Sequence, residues 1–184
     1  MLVEVRVQSL GLDRSSNTPV VILQESGGER VLPIWIGPGE ASAIAMQLAE
    51  MEFSRPLTHD LLVSVLGGLG GKLQKVVITR VEKSTYYAEL IIHHRGEVIT
   101  VDARPSDSIA VALRLDARIF AEDELLERGA IEVSDEDAVL HTDDYGQLQG
   151  DQPMEQGSGG IMKPEELKEY LRKLNPEDFG RFTP

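Results

Sequence analysis

The sequence predicts an α+β protein in which a β-β-β-α unit is duplicated. The expected result is mixed or antiparallel sheets with flanking helices, followed by a C-terminal helix. Strand-like alternation precedes a helical pattern that opens at a proline, and this order occurs twice. The two strand–helix junctions also match at an offset of 67 positions. With 184 residues, 41% of them hydrophobic, the chain can bury a core of its own.

The first unit opens with three predicted strands. Residues 3–9 alternate between apolar and polar, so the odd-numbered side chains, Ser9 included, should share one face. Strands at 20–24 and 30–36 follow, joined by a turn at Gly27-Gly28, a pair that tolerates positive φ. Trp35, near the end of the third strand, is expected to pack in the core, although an exposed tryptophan there could stack on a base.

Two helical patterns follow these strands. The first covers 40–51, where Ile44, Leu48 and Met51 form one apolar stripe. The second covers 58–69, with Thr58 as the expected N-cap.

The second unit repeats the order of the first. Strands are predicted at 75–82, 86–93 and 98–103, a helix at 107–115, a short strand at 118–120 and a helical turn at 122–128. Ser106 is the expected N-cap of the helix.

The strand–helix junctions carry the signal for duplication. Pro38 pairs with Pro105 and Glu40 with Asp107, and alanines match further along both helices. Shared capping rules alone could produce two similar junctions. The identical alanines and the matching acids favour duplication of one unit.

The chain divides into a compact region and an acidic tail. Residues 1–133 form the predicted domain, residues 134–162 an acidic flexible linker, and residues 163–184 a helix and tail. The helix presents the stripe Leu167, Tyr170, Leu171 and Leu174, which is expected to dock on the main body or on a second chain. The domain holds 13 basic and 19 acidic residues and the rest 5 and 12, so the tail carries about half of the net charge of −13.

Composition excludes several classes of function. The absence of cysteine excludes disulfides, thiolate metal sites and a cysteine nucleophile. No stretch approaches the roughly 20 apolar residues of a membrane helix. No signal peptide is evident, so the expected location is the cytoplasm. An acidic protein has no general attraction for RNA or DNA, which lysine and arginine bind by releasing counterions.

Four acids lie at or just before predicted helix starts: Glu40, Asp60, Asp102 and Asp107. Acids in a first turn stabilise a helix by about 0.3–1 kcal/mol each, and this structural interpretation suffices for any one of them. If the duplicated junctions converge, however, Glu40, Asp102 and Asp107 could together hold Mg²⁺ or Mn²⁺ through oxygen ligands. Such a metal would also bridge carboxylates to phosphate.

Two further polar residues lie beside these acids. His59, next to Asp60, could act as an acid, a base or a ligand, or could be a structural histidine at a helix start. Arg104 could bind phosphate through two N–H groups, or form a structural ion pair with Asp102 or Asp107.

Four segments in this order resemble the bifunctional nuclease domain family: LDRSSNTPVVIL, VLPIWIGPGEASAIA, MEFSRPLTHDLL and VDARPSDSIAVAL. The resemblance covers about residues 1–133 and implies an α+β fold with an internally duplicated unit. It also implies RNA or DNA as substrate and a homo-oligomer, most often a dimer. The recurrent polar positions of the family's motifs map here to Asp13, Glu40, His59, Asp60, Asp102, Arg104, Ser106 and Asp107.

Two hypotheses follow. In the first, the protein is a nuclease, in which Glu40, Asp102 and Asp107 hold a metal that activates water. Arg104 then steadies the developing charge, while His59, beside Asp60, carries the proton. In the second, it is a non-enzymatic, oligomeric binding or regulatory module whose acids are caps and ion pairs.

Overall fold

The alternating segments form one mixed sheet of seven strands. The computed structural model describes residues 1–13, 16 and 18–128. In chain order the elements are β1 Leu2–Asp13, β2 Thr18–Glu25, β3 Val31–Trp35, α1 Pro38–Leu48, α2 Thr58–Gly68, β4 Gly71–Glu82, β5 Thr85–His94, β6 Glu97–Ala103, α3 Pro105–Leu115, β7 Arg118–Glu122 and α4 at 123–128. The predicted α+β class is confirmed.

The strand order is β3-β2-β1-β7-β4-β5-β6. Each set of three consecutive strands is an antiparallel meander, and β7 lies between the two meanders. It pairs antiparallel with β1 and parallel with β4. The first strand of each predicted unit therefore lies next to the central strand.

Helices α1, α2 and α3 bury the apolar side chains of the sheet. The middle helix, α3, packs on β4, β5 and β7 and contacts α1 and α2. Helix α1 also contacts β2, and α2 also contacts β4. The largest fully buried side chains include Leu23, Ile34, Ile44, Ile78 and Ile109, so the core extends across both meanders.

The odd-numbered side chains of β1 share one face in the first half of the strand, as predicted, but not in the second half. Val5 is buried, as the alternation predicts, but the pairing with β2 shifts register between Val7 and Ser9. A bulge adds one residue and so moves the buried set to the other parity. As a result Leu10 is buried and Ser9 is not, contrary to the prediction.

The helices begin earlier than their predicted caps. Helix α2 follows Leu57, so that Thr58 is its first helical residue and not its N-cap. Helix α3 likewise follows Arg104, and Ser106 lies buried inside its first turn. Proline at the first position of α3 sets the helical φ and needs no hydrogen bond for its nitrogen. Helix α1 ends at Leu48 rather than at Met51.

The sequence predicts that Trp35 packs in the core, and this prediction is wrong. Its side chain is 41% exposed, and its indole N–H donates to Asp13 Oδ2 over 3.0 Å. It is the last residue of β3, which is an edge strand and therefore has a neighbouring strand on one side only.

Duplication of the unit stays a prediction. Helices α1 and α3 each contain 11 residues and begin at prolines that align in the repeat, as duplication requires. Superposition of the two halves, with Glu40 matched to Asp107, is its test. The predictions for the linker at 134–162 and the helix and tail at 163–184 lie outside the described residues. Within the described part, no helix combines the length and the apolar character that crossing a bilayer requires.

We predict that Leu23→Ala lowers the free energy of unfolding by about 2–5 kcal/mol, because the side chain is fully buried and its loss leaves a cavity. Leu48→Ala is the matched control, since Leu48 is 38% exposed, and should cost less than about 1 kcal/mol. Urea unfolding of both variants measures the difference. Equal costs would contradict the described core.

Candidate active site at the helix starts

Two acids occupy equivalent positions at the starts of α1 and α3. Each helix opens with a proline, and Glu40 or Asp107 is its third residue. A carboxylate in the first turn interacts favourably with the free N–H groups of the helix. Because α1 packs against α3, the two carboxylates come within reach of one arginine.

Arg104 joins these two carboxylates. Its Nη1 donates to Glu40 Oε1 over 2.6 Å, and its Nε donates to Asp107 Oδ2 over 2.7 Å. The hydrogen bonds to Asp107 and to Glu40 raise the pKa of Arg104 above its ordinary value. The side chain is nevertheless 64% exposed, so solvent and solutes can reach the guanidinium.

His59 forms a pair with Asp107. The distance from His59 Nε2 to Asp107 Oδ1 is 3.2 Å. Burial opposes ionisation of Asp107, but the hydrogen bonds from Arg104 and His59 outweigh it and lower the pKa of the carboxyl group. An ionised carboxylate only accepts hydrogen bonds, so Nε2 is the nitrogen that donates. The lone pair of neutral His59 is then on Nδ1.

Asp60 fixes the start of α2 and joins it to α3. Its Oδ2 accepts the N–H of Leu57 over 2.8 Å, and its Oδ1 accepts Nε of Arg114 over 2.6 Å. Burial again opposes ionisation, but the hydrogen bonds from Arg114 and Leu57 lower the pKa of Asp60. Arg114, only 6% exposed, also donates to the carbonyl oxygens of Ala110 and Ala43.

Asp102 lies apart from this cluster. It is on β6 opposite Glu89, on the sheet face away from the buried Ala88 and Leu90. Within the described part of the chain its side chain makes no hydrogen bond or ion pair. The fold thus brings Glu40, His59, Asp60, Arg104 and Asp107 together, but not Asp102.

The described residues do not fit a preformed metal site. Among residues 1–13, 16 and 18–128, no three His, Asp or Glu side chains group as metal ligands. Glu40 and Asp107 already share Arg104, so a cation would have to compete with the guanidinium for their oxygens.

A cavity of about 450 Å³ lies beside His59. It is bounded by α1, the start of α2 and α3, and its lining residues are Gly39, Ala43, Met46, Pro56, Leu57, Thr58, His59 and Arg114. The histidine thus belongs both to the ion-paired cluster and to the wall of a space large enough for a small organic group.

Arg114 is the polar residue of the cluster that the sequence did not indicate. It lies in an apolar segment near the end of α3, two residues after Ala112 and next to Leu113. A single arginine in such a segment is a usable signal, because burial of its charge requires an acidic partner.

Comparison with known proteins supports the resemblance read from the sequence. A model of the bifunctional nuclease domain matches residues 21–134. An uncharacterized protein of Mycobacterium tuberculosis (strain ATCC 25618 / H37Rv) is 36% identical over 178 residues, covering 96% of this chain and 97% of that protein. Bifunctional nuclease 2 of Oryza sativa subsp. japonica is 28% identical over 58% of this chain and 34% of its own length. Bifunctional nuclease 1 of Arabidopsis thaliana is 24% identical over 55% and 32%.

We predict that Asp60→Asn lowers the free energy of unfolding at about pH 7 by roughly 1–3 kcal/mol, because the nearly buried Arg114 loses its charged acceptor. The cost stays below that of breaking a fully buried pair, since the Asp60 side chain is 34% exposed. Glu82→Gln, which breaks the exposed pair with Arg80, is the control and should cost less than about 0.5 kcal/mol.

The effect of Asp60→Asn should depend on pH. The lowered pKa of Asp60 means that its ionised form stabilises the fold above the unfolded value of about 3.8. This contribution is lost as the pH falls from the unfolded value through the lowered folded-state pKa, so the gap in stability between the two proteins should narrow as the pH falls below about 3.8. Urea unfolding between about pH 3 and pH 7 measures the gap, and a constant gap would contradict the assignment.

Proposed function

The chain is a member of the bifunctional nuclease domain family, and on this premise we propose that it hydrolyses phosphodiester bonds of RNA or DNA. The observation that carries the proposal is the pair of His59 and Asp107, with the distance of 3.2 Å between Nε2 and Oδ1, on the wall of a cavity. A histidine held by a carboxylate is a proton-transfer unit found in many hydrolases. The plant relatives named bifunctional nucleases support the substrate class.

In the proposed reaction His59 acts as a general base. Asp107 accepts the hydrogen bond from Nε2 and stabilises the imidazolium that forms when Nδ1 takes a proton from water. The water oxygen bonds to phosphorus as the bond from phosphorus to the leaving oxygen breaks. The imidazolium then returns its proton to the leaving oxygen, so the products are a phosphomonoester and a hydroxyl group.

Arg104 is proposed to steady the charge that develops on the phosphoryl oxygens. Its exposure supports this role, since 64% of the side chain faces solvent. It also neutralises part of the charge on Glu40 and Asp107, which would otherwise repel a phosphate. Asp60 is proposed to position His59 by fixing the first turn of α2 through Leu57 and Arg114.

Dependence on Mg²⁺ or Mn²⁺, with Glu40, Asp102 and Asp107 as ligands, stays a prediction. Hard oxygen ligands suit both ions, and a bound ion would polarise the phosphate. No step above requires the ion. Asp102 discriminates between the two schemes, because it belongs to the metal set and not to the cluster around His59.

The alternative is a non-enzymatic binding or regulatory module. The ion pairs Arg104–Glu40, Arg104–Asp107 and Arg114–Asp60 support it, because they join three helices and need no catalytic role. The two proposals differ in what they require of His59. The nuclease needs it to move a proton, whereas a binding module has no such requirement.

We predict that highly purified protein cleaves labelled RNA or DNA, and that His59→Gln or Asp107→Asn lowers the rate by at least about 100-fold. Arg104→Lys should also lower the rate of cleavage, because one ammonium group cannot reproduce the contacts of the guanidinium with both carboxylates. Asp102→Asn should retain the wild-type rate if the cluster acts alone. Circular dichroism checks that each variant is folded.

Each reaction is repeated with EDTA and then with Mg²⁺ or Mn²⁺. Loss of activity in EDTA together with loss in Asp102→Asn would establish the metal scheme instead. Glu82→Gln, which alters an exposed ion pair, is the matched control that should keep the wild-type rate, while loss of cleavage by His59→Gln purified in the same way excludes trace nuclease as the source. Cleavage at the wild-type rate by His59→Gln would remove the proposed mechanism and favour the binding module.

We also propose that two copies associate through an apolar surface made by α2 and β6. This α2–β6 patch comprises Leu61, Leu62, Val65, Leu69, Ile99 and Val101, each at least 40% exposed. The two elements meet at Gly71, where a side chain would contact both Leu66 of α2 and Ile92, the cross-strand neighbour of Ile99. A helix without any buried residue, such as α2, gains by covering such a surface.

The edge strand supports a second copy as the occupant. The other edge strand, β3, has five residues and contains Pro33, whereas β6 has seven residues and no proline or lysine. Its free backbone groups can pair with the same strand of a second copy across a twofold axis.

We predict that Leu69→Asp weakens self-association by at least about tenfold in Kd, because a carboxylate would have to be desolvated in the interface. Leu48→Asp is the matched control on α1, outside the α2–β6 patch, and should leave the Kd unchanged. Sedimentation equilibrium over a range of concentrations measures both. A monomeric wild-type chain, or equal effects of the two variants, would exclude this interface.

A further inference from the structure

We infer that the cavity beside His59 is a subsite for one nucleoside of the substrate. The inference rests on the proposed function, because it assigns the cavity to the group adjoining the phosphodiester that water, activated by His59, would attack. A cavity of about 450 Å³ lies within the range of small-molecule sites.

The wall contributed by α1 explains why the space exists. Gly39, Ala43 and Met46 lie four and then three positions apart, so they share one face of the helix. A Cβ placed on Gly39 would have no atom within 4 Å, which means that this position opens onto free space. The small side chains of α1 leave this space unfilled, and Met46 bounds it further along the helix.

The chemistry of the lining suits a nucleobase and its sugar. Met46, Pro56 and Leu57 present apolar atoms to the cavity, and the methionine sulfur interacts favourably with aromatic rings. Thr58 and Arg114 add hydrogen-bonding groups. Nη2 of Arg114 has one acceptor among the described residues, the carbonyl oxygen of Ala43 at 3.4 Å, which leaves an N–H for a carbonyl or hydroxyl oxygen of the ligand.

Its position ties the cavity to the chemistry. His59 lines the cavity and pairs with Asp107, which binds the exposed Arg104. A nucleoside in the cavity therefore has the proton-transfer pair beside it, and its attached phosphate has a cation nearby. Binding energy gained in the cavity would hold the phosphodiester at His59, as positioning of a substrate requires.

The test uses Gly39→Leu, which fills the cavity from an open position on α1. Gly67→Leu is the matched control, because Gly67 is also helical and a Cβ there would also meet no atom within 4 Å. UMP and AMP are titrated into the full chain by calorimetry. We expect saturable binding of at least one nucleotide, weakened by at least about tenfold in Gly39→Leu and unchanged in Gly67→Leu. Thermal unfolding of both variants checks the fold, and Gly39→Val is the second variant if Gly39→Leu is destabilised.

The outcomes separate this inference from the proposed function. Nucleotide binding that Gly39→Leu abolishes, in a protein without nuclease activity, would keep the subsite and remove the nuclease. Cleavage of RNA or DNA with no nucleotide binding, or with equal binding by Gly39→Leu and wild type, would overturn the subsite and leave the nuclease in place. Equal weakening by Gly39→Leu and Gly67→Leu would also overturn it, since the loss would then not come from the cavity.

Discussion

The packing of α1 against α3 is the contact on which the candidate site depends. Alanines supply much of the buried surface of both helices, Ala41 and Ala45 on one and Ala110 and Ala112 on the other, and small side chains allow helix axes to approach closely. The helix starts consequently lie near enough for one guanidinium to bind both acids. That bridge is exposed, and exposed ion pairs contribute at most about 1 kcal/mol, so the helix packing positions the acids and the ion pairs follow from it.

The sequence predicted those parts of the site that depend on local rules. A proline followed two residues later by an acid marks a helix start, and its recurrence indicated that Glu40 and Asp107 are equivalent. The environment of Asp102 depends on the register between β5 and β6, which sets the face of the sheet on which its side chain lies. The partner of Arg114 depends on how α2 packs beside α3, which no local pattern encodes.

The same distinction explains the other differences between sequence and structure. One bulge in β1 reverses the buried parity after Val7, and hydrophobic alternation cannot reveal it, because the extra residue, Gln8, is one more polar residue beside Ser9. Trp35 has a large apolar side chain, but it is the last residue of an edge strand, where its indole N–H donates to Asp13. The two helix starts also differ where the repeat aligns Arg104 with Gly37. Gly37 supplies no guanidinium to the start of α1, and Arg104 of the other start contacts both acids.

The charge of the cluster and of the whole chain limits the electrostatic attraction that an anionic substrate would experience at this site. Glu40, Asp60 and Asp107 carry three negative charges against two positive charges on Arg104 and Arg114, so these five side chains together carry a net charge of −1. A nucleic acid therefore gains little from long-range attraction to a chain of net charge −13. Affinity would have to come from short-range contacts, and the cavity beside His59 offers apolar surface and a buried guanidinium for them. Under the proposed function, the chain should therefore select substrates by the fit of a nucleoside more than by the charge of the backbone, and its binding of nucleic acid should depend only weakly on salt.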